Sequence, residues 1–295
     1  MIFIWGKKMN KIYKAFHMPF TRLLKKLTGY KEVYTICLKT KDNQYKQLFN
    51  ENGCWYADPL FQNYKSCDAL FLEKYDLHTK KGVIACSCLK NGNFESPKTI
   101  IEESFHMSFP MTFEWMGNLY MIPETSDDES IRIYECLKFP FEWKIKKRFL
   151  INKKIVDSVV LKINEDEISL LASEICSKNA LKVRFFKYKI NKKWELIEEE
   201  AFNEKQNFNY QDRNAGKVIS ENNKLILPTQ ESTNIDYGYS INFKEIEGEN
   251  ILNNISSIIP KDIYVENIQQ DNMIGVHTYT KLDKLEVIDL RYLLK

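Results

Sequence analysis

The sequence predicts an all-β fold, a five-bladed β-propeller built from four-stranded blades. Three observations carry that prediction. Past residue 30, short β-branched and aromatic runs follow one another, separated by Asn, Gly and Asp turns. A strand–turn–strand unit recurs with starts roughly 50 residues apart, the spacing of propeller blades and related arrays. Each unit also closes on an acid or amide about 15 residues in, so the repeat extends to chemistry.

The first unit opens at Trp55-Tyr56-Ala57-Asp58-Pro59-Leu60-Phe61 and returns through Ala69-Leu70-Phe71-Leu72-Glu73. It continues with Gly82 to Leu89, an Asn91-Gly92 hairpin turn and Phe94 to Ile101, which makes four strands. The second unit runs Ser108 to Glu114, turns at Gly117-Asn118 and returns to Glu124, then adds Ser130 to Cys136 and Trp143 to Leu150. The third runs Val156 to Leu161 and Ile168 to Glu174, then Leu181 to Tyr188 and Trp194 to Ile197. An aromatic residue opens the outer strand in all three: Phe94, Trp143 and Trp194. The fourth has Arg213 to Ile219, an Asn222-Asn223 turn, Leu225 to Glu231 and Tyr237 to Asn242. A weaker fifth has Asn272 to Tyr279 and Leu285 to Asp289, and the run Val33 to Leu38 is expected to complete it and close the ring. Residues 201 to 212 read as an insertion loop. The domain division is therefore a segment of residues 1–30 and a propeller over 31–295.

Residues 1–30 differ in composition. Lys7, Lys8, Lys11, Lys14, Arg22, Lys25 and Lys26 are interleaved with apolar residues and interrupted at Pro19, giving a basic, partly helical segment. Such a segment suits peripheral contact with an anionic membrane surface or docking to a membrane-bound partner; the plainer reading is a solvated arm. Composition excludes several classes. A hydrophobic content of 44% with 28% charge is that of an ordinary globular chain, and a net charge of +3 does not point to nucleic acid. The seven cysteines are scattered without a CxxC pair and read as free thiols in a reducing compartment. No apolar run approaches the ~18 residues of a membrane span, and Met1 to Trp5 is too short for a signal-peptide core. A cytoplasmic location follows, at most peripheral to the inner membrane face. No metal-ligand spacing, P-loop or Rossmann glycine pattern occurs, so neither metal nor cofactor is expected.

The repeat also locates a site. Inner strands of successive blades line a central channel, so Asp58 and Asp157 near their starts, and Glu73, Glu124, Glu174 and Gln230 or Glu231 at the ends of the next strands, are expected at one mouth. Crowded acids raise one another's pKa, which keeps a general acid protonated near neutral pH, and a carboxylate pair is the equipment of glycoside cleavage. Taken one at a time, these acids read first as solvated strand ends or partners of Arg132, Arg184 and Arg213; their equivalent positions in four consecutive units favour the shared site. His106 and His277 lie nearest equivalent strand ends and read either as hydrogen-bonding residues or as site residues.

The Trp55-Tyr56-Ala57-Asp58-Pro59 run, His106 to Pro110 with Phe113-Glu114-Trp115, and Met121-Ile122-Pro123-Glu124 resemble the N-terminal domain of glucosamine inositolphosphorylceramide transferase and its stand-alone bacterial relatives. The similarity continues through Val156-Asp157, Arg213 to Gly216, Pro228-Thr229-Gln230, Tyr237 to Tyr239 and Val276 to Thr278. That family is in turn similar to five-bladed furanosidase-type propellers such as arabinanases, invertases and levansucrases. The resemblance implies a role in building a polysaccharide or glycolipid. It aligns Asp58 with the base or nucleophile of furanosidases and Asp157 with their second acid. Their general-acid glutamate has no match at Asp212 to Gly216, where Glu124 or Glu174 would have to substitute.

The leading expectation is a carbohydrate-active propeller that binds a sugar or sugar phosphate and transfers or processes it, with Asp58, Asp157 and Glu124 as catalytic candidates. Trp55 would stack on a sugar face, Arg213 would hold an anionic group, and Glu73, His106, Glu174, Gln230 and His277 would line the pocket. Two other readings stand beside it: a furanoside hydrolase using Asp58 and Asp157, and a non-catalytic scaffold for a partner glycosyltransferase.

Overall fold

Asn91-Gly92, Lys65-Ser66, Met116-Gly117 and Asn222-Asn223 all adopt positive φ at both residues, the backbone of a two-residue hairpin turn. These turns set four of the hairpins of a computed structural model that describes residues 29–175, 183–201, 212–231, 238–248 and 250–295. The basic segment expected over residues 1–30 lies outside the described residues except for its last two, and so does nearly all of the 201–212 loop.

Blade 1 comprises β3 (Cys54–Tyr64), β4 (Cys67–Asp76), β5 (Lys81–Lys90) and two short outer pieces, β6 (Asn93–Phe94) and β7 (Lys98–Ile101), both paired with β5. Blade 2 is β8 (Ser108–Trp115), β9 (Asn118–Glu124), β10 (Ile131–Lys138) and β11 (Glu142–Phe149). Blade 3 is β12 (Ile155–Ile163), β13 (Glu167–Ile175), β14 (Val183–Asn191) and β15 (Leu196–Ala201). In blade 4 the innermost position is split between β16 (Arg213–Asn214) and β17 (Ile219–Glu221), followed by β18 (Lys224–Glu231), β19 (Ser240–Glu247) and β20 (Asn250–Ile258). Blade 5 joins the two ends of the described chain: β21 (Met273–Leu282) and β22 (Leu285–Leu294) pair onward with β1 (Lys31–Lys39) and β2 (Tyr45–Gln47). The β1–β22 ladder runs from Lys31↔Leu294 to Leu38↔Val287 and closes the ring, as the Val33 to Leu38 run predicts.

Three strands differ from the sequence reading, one of them β2 (Tyr45–Gln47), which no run in the sequence marks. The continuous strand expected over Arg213 to Ile219 is broken by the Ala215–Val218 segment, and β20, with its Asn-Asn-Ile-Ser-Ser interior, carries no alternation that would mark it.

Trp143 and Trp194 are wedges between blades. Trp143 of blade 2 meets Phe71 of blade 1 edge-on at 5.6 Å. Trp194 of blade 3 meets Trp115 and Tyr120 of blade 2 at 5.0 and 4.7 Å. Phe94 packs against Phe61 and Phe49, 6.0 and 6.4 Å away. Trp143 and Trp194 thus place large rings where one blade meets the next, while Phe94 packs within blade 1 and against Phe49, and edge-to-face pairing adds about 1 kcal/mol to the area term. The largest hydrophobic core follows the same seam, from Leu60 through Phe109 and Val159 to Leu227.

Candidate functional site

The inner strands do more than line the axis. In four blades the ladder slips at the same level: after Ala57, Ser108, Val156 and Val276. The residue that follows each slip is Asp58, Phe109, Asp157 and His277. A bulge re-aims a side chain that a regular strand would point along the sheet normal. Asp58, Phe109 and Asp157 hold positive φ (52, 44 and 49°), an uncommon backbone for non-glycine residues that concentrates at functional sites. These bulges crowd acids from separate blades around one mouth of the channel.

That mouth opens a cavity of about 920 Å³. Its lining contains eight of the ten residues picked from sequence: Trp55, Asp58, Glu73, His106, Glu124, Asp157, Arg213 and His277. Glu174 and Gln230 are not among them, and register gives the reason. Glu73 and Glu124 pair with Ala57 and Ser108, the residues just before the bulges. The corresponding partner of Val156 is Ser173, and Glu174 is one place further on, opposite Ile155. One step along a strand turns the side chain to the other face, and Glu174 instead pairs with Lys153 at 3.6 Å. Gln230 is fully buried and donates to the Asn214 carbonyl at 2.9 Å, bracing the innermost strand of blade 4.

Three groups of charges make up the floor and walls. In the first, the Asp58 carboxylate accepts from the Phe109 N–H (3.0 Å) and the Thr278 hydroxyl (2.7 Å), with His277 Nδ1 3.1 Å from its Oδ1. The Asp58 N–H in turn donates to Asp289 Oδ2 at 2.9 Å, and His277 Nδ1 lies 3.1 Å from that same oxygen. Burial opposes ionisation of both partners. Yet Asp289 and Asp58 hold the imidazole well above its usual range, and His277, Thr278 and the Phe109 amide hold Asp58 below the ordinary carboxylate value. The proton of His277 Nδ1 thus lies between the Asp58 and Asp289 carboxyl groups. Asp58, His277 and Asp289 also present ligand atoms within 4.8 Å of one another, and they are the described residues whose donors suit a cation in place of that proton.

In the second group, Arg213 bridges blades 2 and 3. Its Nη2 donates to Glu124 Oε2 at 3.1 Å and its Nε to Asp157 Oδ2. Burial pushes the Asp157 carboxyl up to about 7, with Arg213 pulling the other way and Glu124 and Asp58 adding to the rise.

The third group is Glu73. It is 4% exposed, and its Oε1 accepts no hydrogen bond. Burial, followed by repulsion from Asp58, raises its carboxyl well above the usual glutamate range. His106 stands beside it, Nε2 3.5 Å from Oε1. The Gly82 N–H donates to His106 Nδ1 at 2.9 Å, so the neutral ring carries its proton on Nε2, toward Glu73. Gly82 is required here: a Cβ would come within 2.4 Å of Glu73 Oε1 and 2.7 Å of His106 Cε1.

Aromatic rings complete the wall. Trp55 stacks on Tyr75 at 4.3 Å with planes 5° apart, Tyr34 approaches Trp55 at 4.8 Å, and His277 meets Tyr34 edge-on at 5.7 Å. The face of Trp55 is therefore taken up by its neighbours, and the three rings form one surface. Tyr34, Tyr75, Asp289 and Thr278 were not picked from sequence. Asp289 and Thr278 belong to the weakest repeat unit; Thr278 is next to His277, and Asp289 stands on the strand paired with it in the same closing blade.

Residues 35–283 match the family described as glucosamine inositolphosphorylceramide transferase 1, N-terminal. The chain belongs to that family. Glucosamine inositolphosphorylceramide transferase 1 of Arabidopsis thaliana is 32% identical over 107 residues, covering 36% of this chain and 14% of the plant protein. The chain thus matches a small part of that relative's length. Among solved structures, the β-1,2-mannobiose phosphorylase of Listeria innocua, in complex with β-1,2-mannobiose, superposes with a TM-score of 0.56 at 8% identity, covering 87% of this chain and 96% of the other. A thermostable family-43 glycoside hydrolase superposes with a TM-score of 0.54 at 12% identity, covering 82% and 88%. At such identities these likenesses establish a shared five-bladed fold. In this member of the transferase N-terminal family, the site rests on the chain's own geometry.

Proposed function

We propose that this propeller binds a sugar or sugar phosphate at the Glu73 mouth and acts on it during assembly of a surface polysaccharide or glycolipid. The observation that carries the reading is Glu73, a buried carboxyl with one oxygen that accepts no hydrogen bond, set in the wall of an aromatic-lined cavity that raises its pKa well above the usual glutamate range. A neutral carboxyl of this kind donates a proton to a leaving or bridging oxygen. Tyr34 and Tyr75, which occupy the faces of Trp55, suit contact with the C–H groups of a pyranose or furanose in its place, and the carboxylates suit its hydroxyls. Asp157, titrating near neutrality, is the second group able to exchange a proton. Asp58 is anionic with both oxygens engaged, which suits it to orienting His277 and countering its charge. Arg213 orders Asp157 and Glu124. Membership of the transferase family supports a biosynthetic role, and the neighbours named for glycoside hydrolysis and phosphorolysis support glycoside chemistry.

The furanoside hydrolase reading has less support, because it needs Asp58 as a free base. The test is product analysis by mass spectrometry with nucleotide sugars, sugar phosphates and short furanosides, on wild type and Glu73→Gln. Consumption of a nucleotide sugar or sugar phosphate, lost in Glu73→Gln, agrees with the proposal. Turnover of free furanosides alone would replace it with the hydrolase, and no turnover or binding of any of them with the scaffold.

A further inference from the structure

The cavity has a rim as well as a floor, and the two differ in charge. Two neighbouring blades each give the rim one corner. Blade 1 supplies Leu77 and Lys80 from its β4–β5 turn, and blade 5 supplies the adjoining ends of β22 and β1, where Leu294 pairs with Lys31 and Lys295 follows. Both corners join the second and third strands of a blade, so they stand at the same level of the ring. Leu77 and Leu294 are 45% and 53% exposed. A lone exposed leucine is ordinary; here two share one rim with three exposed lysines. Among the described residues no carboxylate side chain lies within ion-pair distance of Lys31, Lys80 or Lys295. Nearby acids are already engaged. Glu32 holds Arg291 at 2.6 Å, Glu51 holds Lys74 and Glu102 holds Lys81, while Asp76 accepts from the His78 and Thr79 N–H groups of its own turn. The equivalent corner of blade 2 is acidic, with Asp127 and Glu129 exposed, so the positive sector is confined to blades 5 and 1. The chain also enters the propeller here. The sequence of residues 1–28 joins at Gly29, two places before Lys31; it holds seven basic residues and no acidic one, together with Ile2, Phe3, Ile4 and Trp5.

Exposed leucines set among ammonium groups suit an interfacial layer, where apolar side chains enter the headgroup region and lysines meet lipid phosphates. Two leucines are too few for the apolar centre of a stable protein–protein interface. Membrane binding instead accumulates charge by charge and is completed by a second anchoring element, which the basic sequence joined to this rim supplies. We propose that the cavity mouth docks on an anionic membrane surface, with Leu77 and Leu294 in the headgroup layer and Lys31, Lys80 and Lys295 on its phosphates. Blades 5 and 1 then face the bilayer, and the acidic corner of blade 2 is tilted away from it. The cavity opens onto the headgroup layer. This concerns the rim, and it holds whether or not Glu73 acts on a sugar. The competing account confines membrane contact to residues 1–28 and leaves the rim in water.

Cosedimentation of the whole chain with vesicles of phosphatidylcholine, alone or with about one-quarter phosphatidylglycerol, measures the partitioning. Lysine acylation read by peptide mass spectrometry reports which face meets the lipid. The chain should bind the anionic vesicles and not the neutral ones, with Lys31 and Lys80 shielded from acylation. Lys65 and Lys162 should stay reactive. They lie at inner hairpins of the opposite end, about 30 Å away along strands of 11 and 9 residues and several screening lengths from the bilayer. Lys31→Gln/Lys80→Gln should weaken partitioning about 25-fold, roughly fivefold for each charge, and Lys65→Gln/Lys162→Gln should leave it unchanged. Leu77→Ser/Leu294→Ser should weaken it with no change in net charge. Binding with Lys31 and Lys80 still reactive would overturn the proposal and leave residues 1–28 as the contact. Equal binding to both vesicles, or to neither, would overturn it too. So would Lys31 and Lys80 shielded without lipid, since the chain would then cover its own rim.

Discussion

Phe109 donates its backbone N–H to the carboxylate of Asp58, 3.0 Å away, and so ties the inner strand of blade 2 to that of blade 1. Through its own N–H on Asp289 and its contact with His277, Asp58 reaches blade 5 as well. One residue thus joins three blades, one of which is built from both ends of the described chain. Asp58→Asn leaves His277 and the bulge amides without their full charge partner. Removing one member of a buried charged group costs about 3 kcal/mol or more. Urea denaturation should show that loss as a lower midpoint; a change within error would mean that the network does not hold the ring.

Glu73 makes a pH prediction of definite sign. Its carboxyl is raised above 4.5 in the folded state, so the folded chain binds more protons than the unfolded one above that value. Stability should fall as pH rises from about 4.5 through the folded value. His277 slopes the same way but later: its contribution is complete below about 6.5 and is lost as pH rises through its elevated folded value. Asp157, raised to about 7, shares the earlier window, so Glu73→Gln should reduce the earlier component and leave the later one. Denaturation curves at intervals from pH 4.5 to 8 measure both, and an unchanged profile in the variant contradicts the protonated Glu73.

Gly82→Ala should disrupt the Glu73–His106 pair without touching either side chain. The added Cβ would also meet the Met107 carbonyl oxygen at 2.6 Å. Overpacking of this kind costs about 1–3 kcal/mol, and it should abolish ligand response while the circular dichroism stays that of a β-protein. Full ligand response in a folded Gly82→Ala variant would show that the pair has room to shift.

Arg213→Gln leaves Asp157 and Glu124 facing each other without the guanidinium between them. Asp157 should then titrate above the value of about 7 that it has beside Arg213. In the variant, stability should go on falling as pH rises above neutrality, where the wild-type contribution of Asp157 levels off, because Asp157 stays protonated to higher pH in the folded state. NMR titration of the Asp157 side chain reads the shift directly, and a downward shift contradicts the clamp.

Much of this was legible because the fold repeats. Asp58 and Asp157 announce themselves by recurring at one position of the strand–turn–strand unit, and Glu73 and Glu124 by closing it. Glu174 shows where that reasoning stops. Counting along a strand locates an acid to within a residue, and a single place decides which face it takes; the bulge that makes Ser173 the equivalent of Glu73 has no signature in residue types. Phe109 occupies the bulge position of blade 2 and contributes an amide, not a side chain, so chemistry-based reading passes over it. Asp289 lies on the closing blade, whose strands come from both ends of the described chain and carry the faintest repeat. The stacking of Trp55 on Tyr75 depends on cross-strand register, which turn spacing alone does not give.

The central claim is that the Glu73 cavity binds a sugar, and ligand-dependent thermal unfolding tests it most directly. Wild type, Glu73→Gln and Asp58→Asn are melted with nucleotide sugars, sugar phosphates and short furanosides. A ligand at 100 times its dissociation constant stabilises the folded state by about 2.7 kcal/mol, enough to raise the melting temperature by several degrees. The account predicts such a rise in wild type with a nucleotide sugar or sugar phosphate, reduced or absent in Glu73→Gln. A rise of the same size in Glu73→Gln, or none in wild type with any of these ligands, would contradict it.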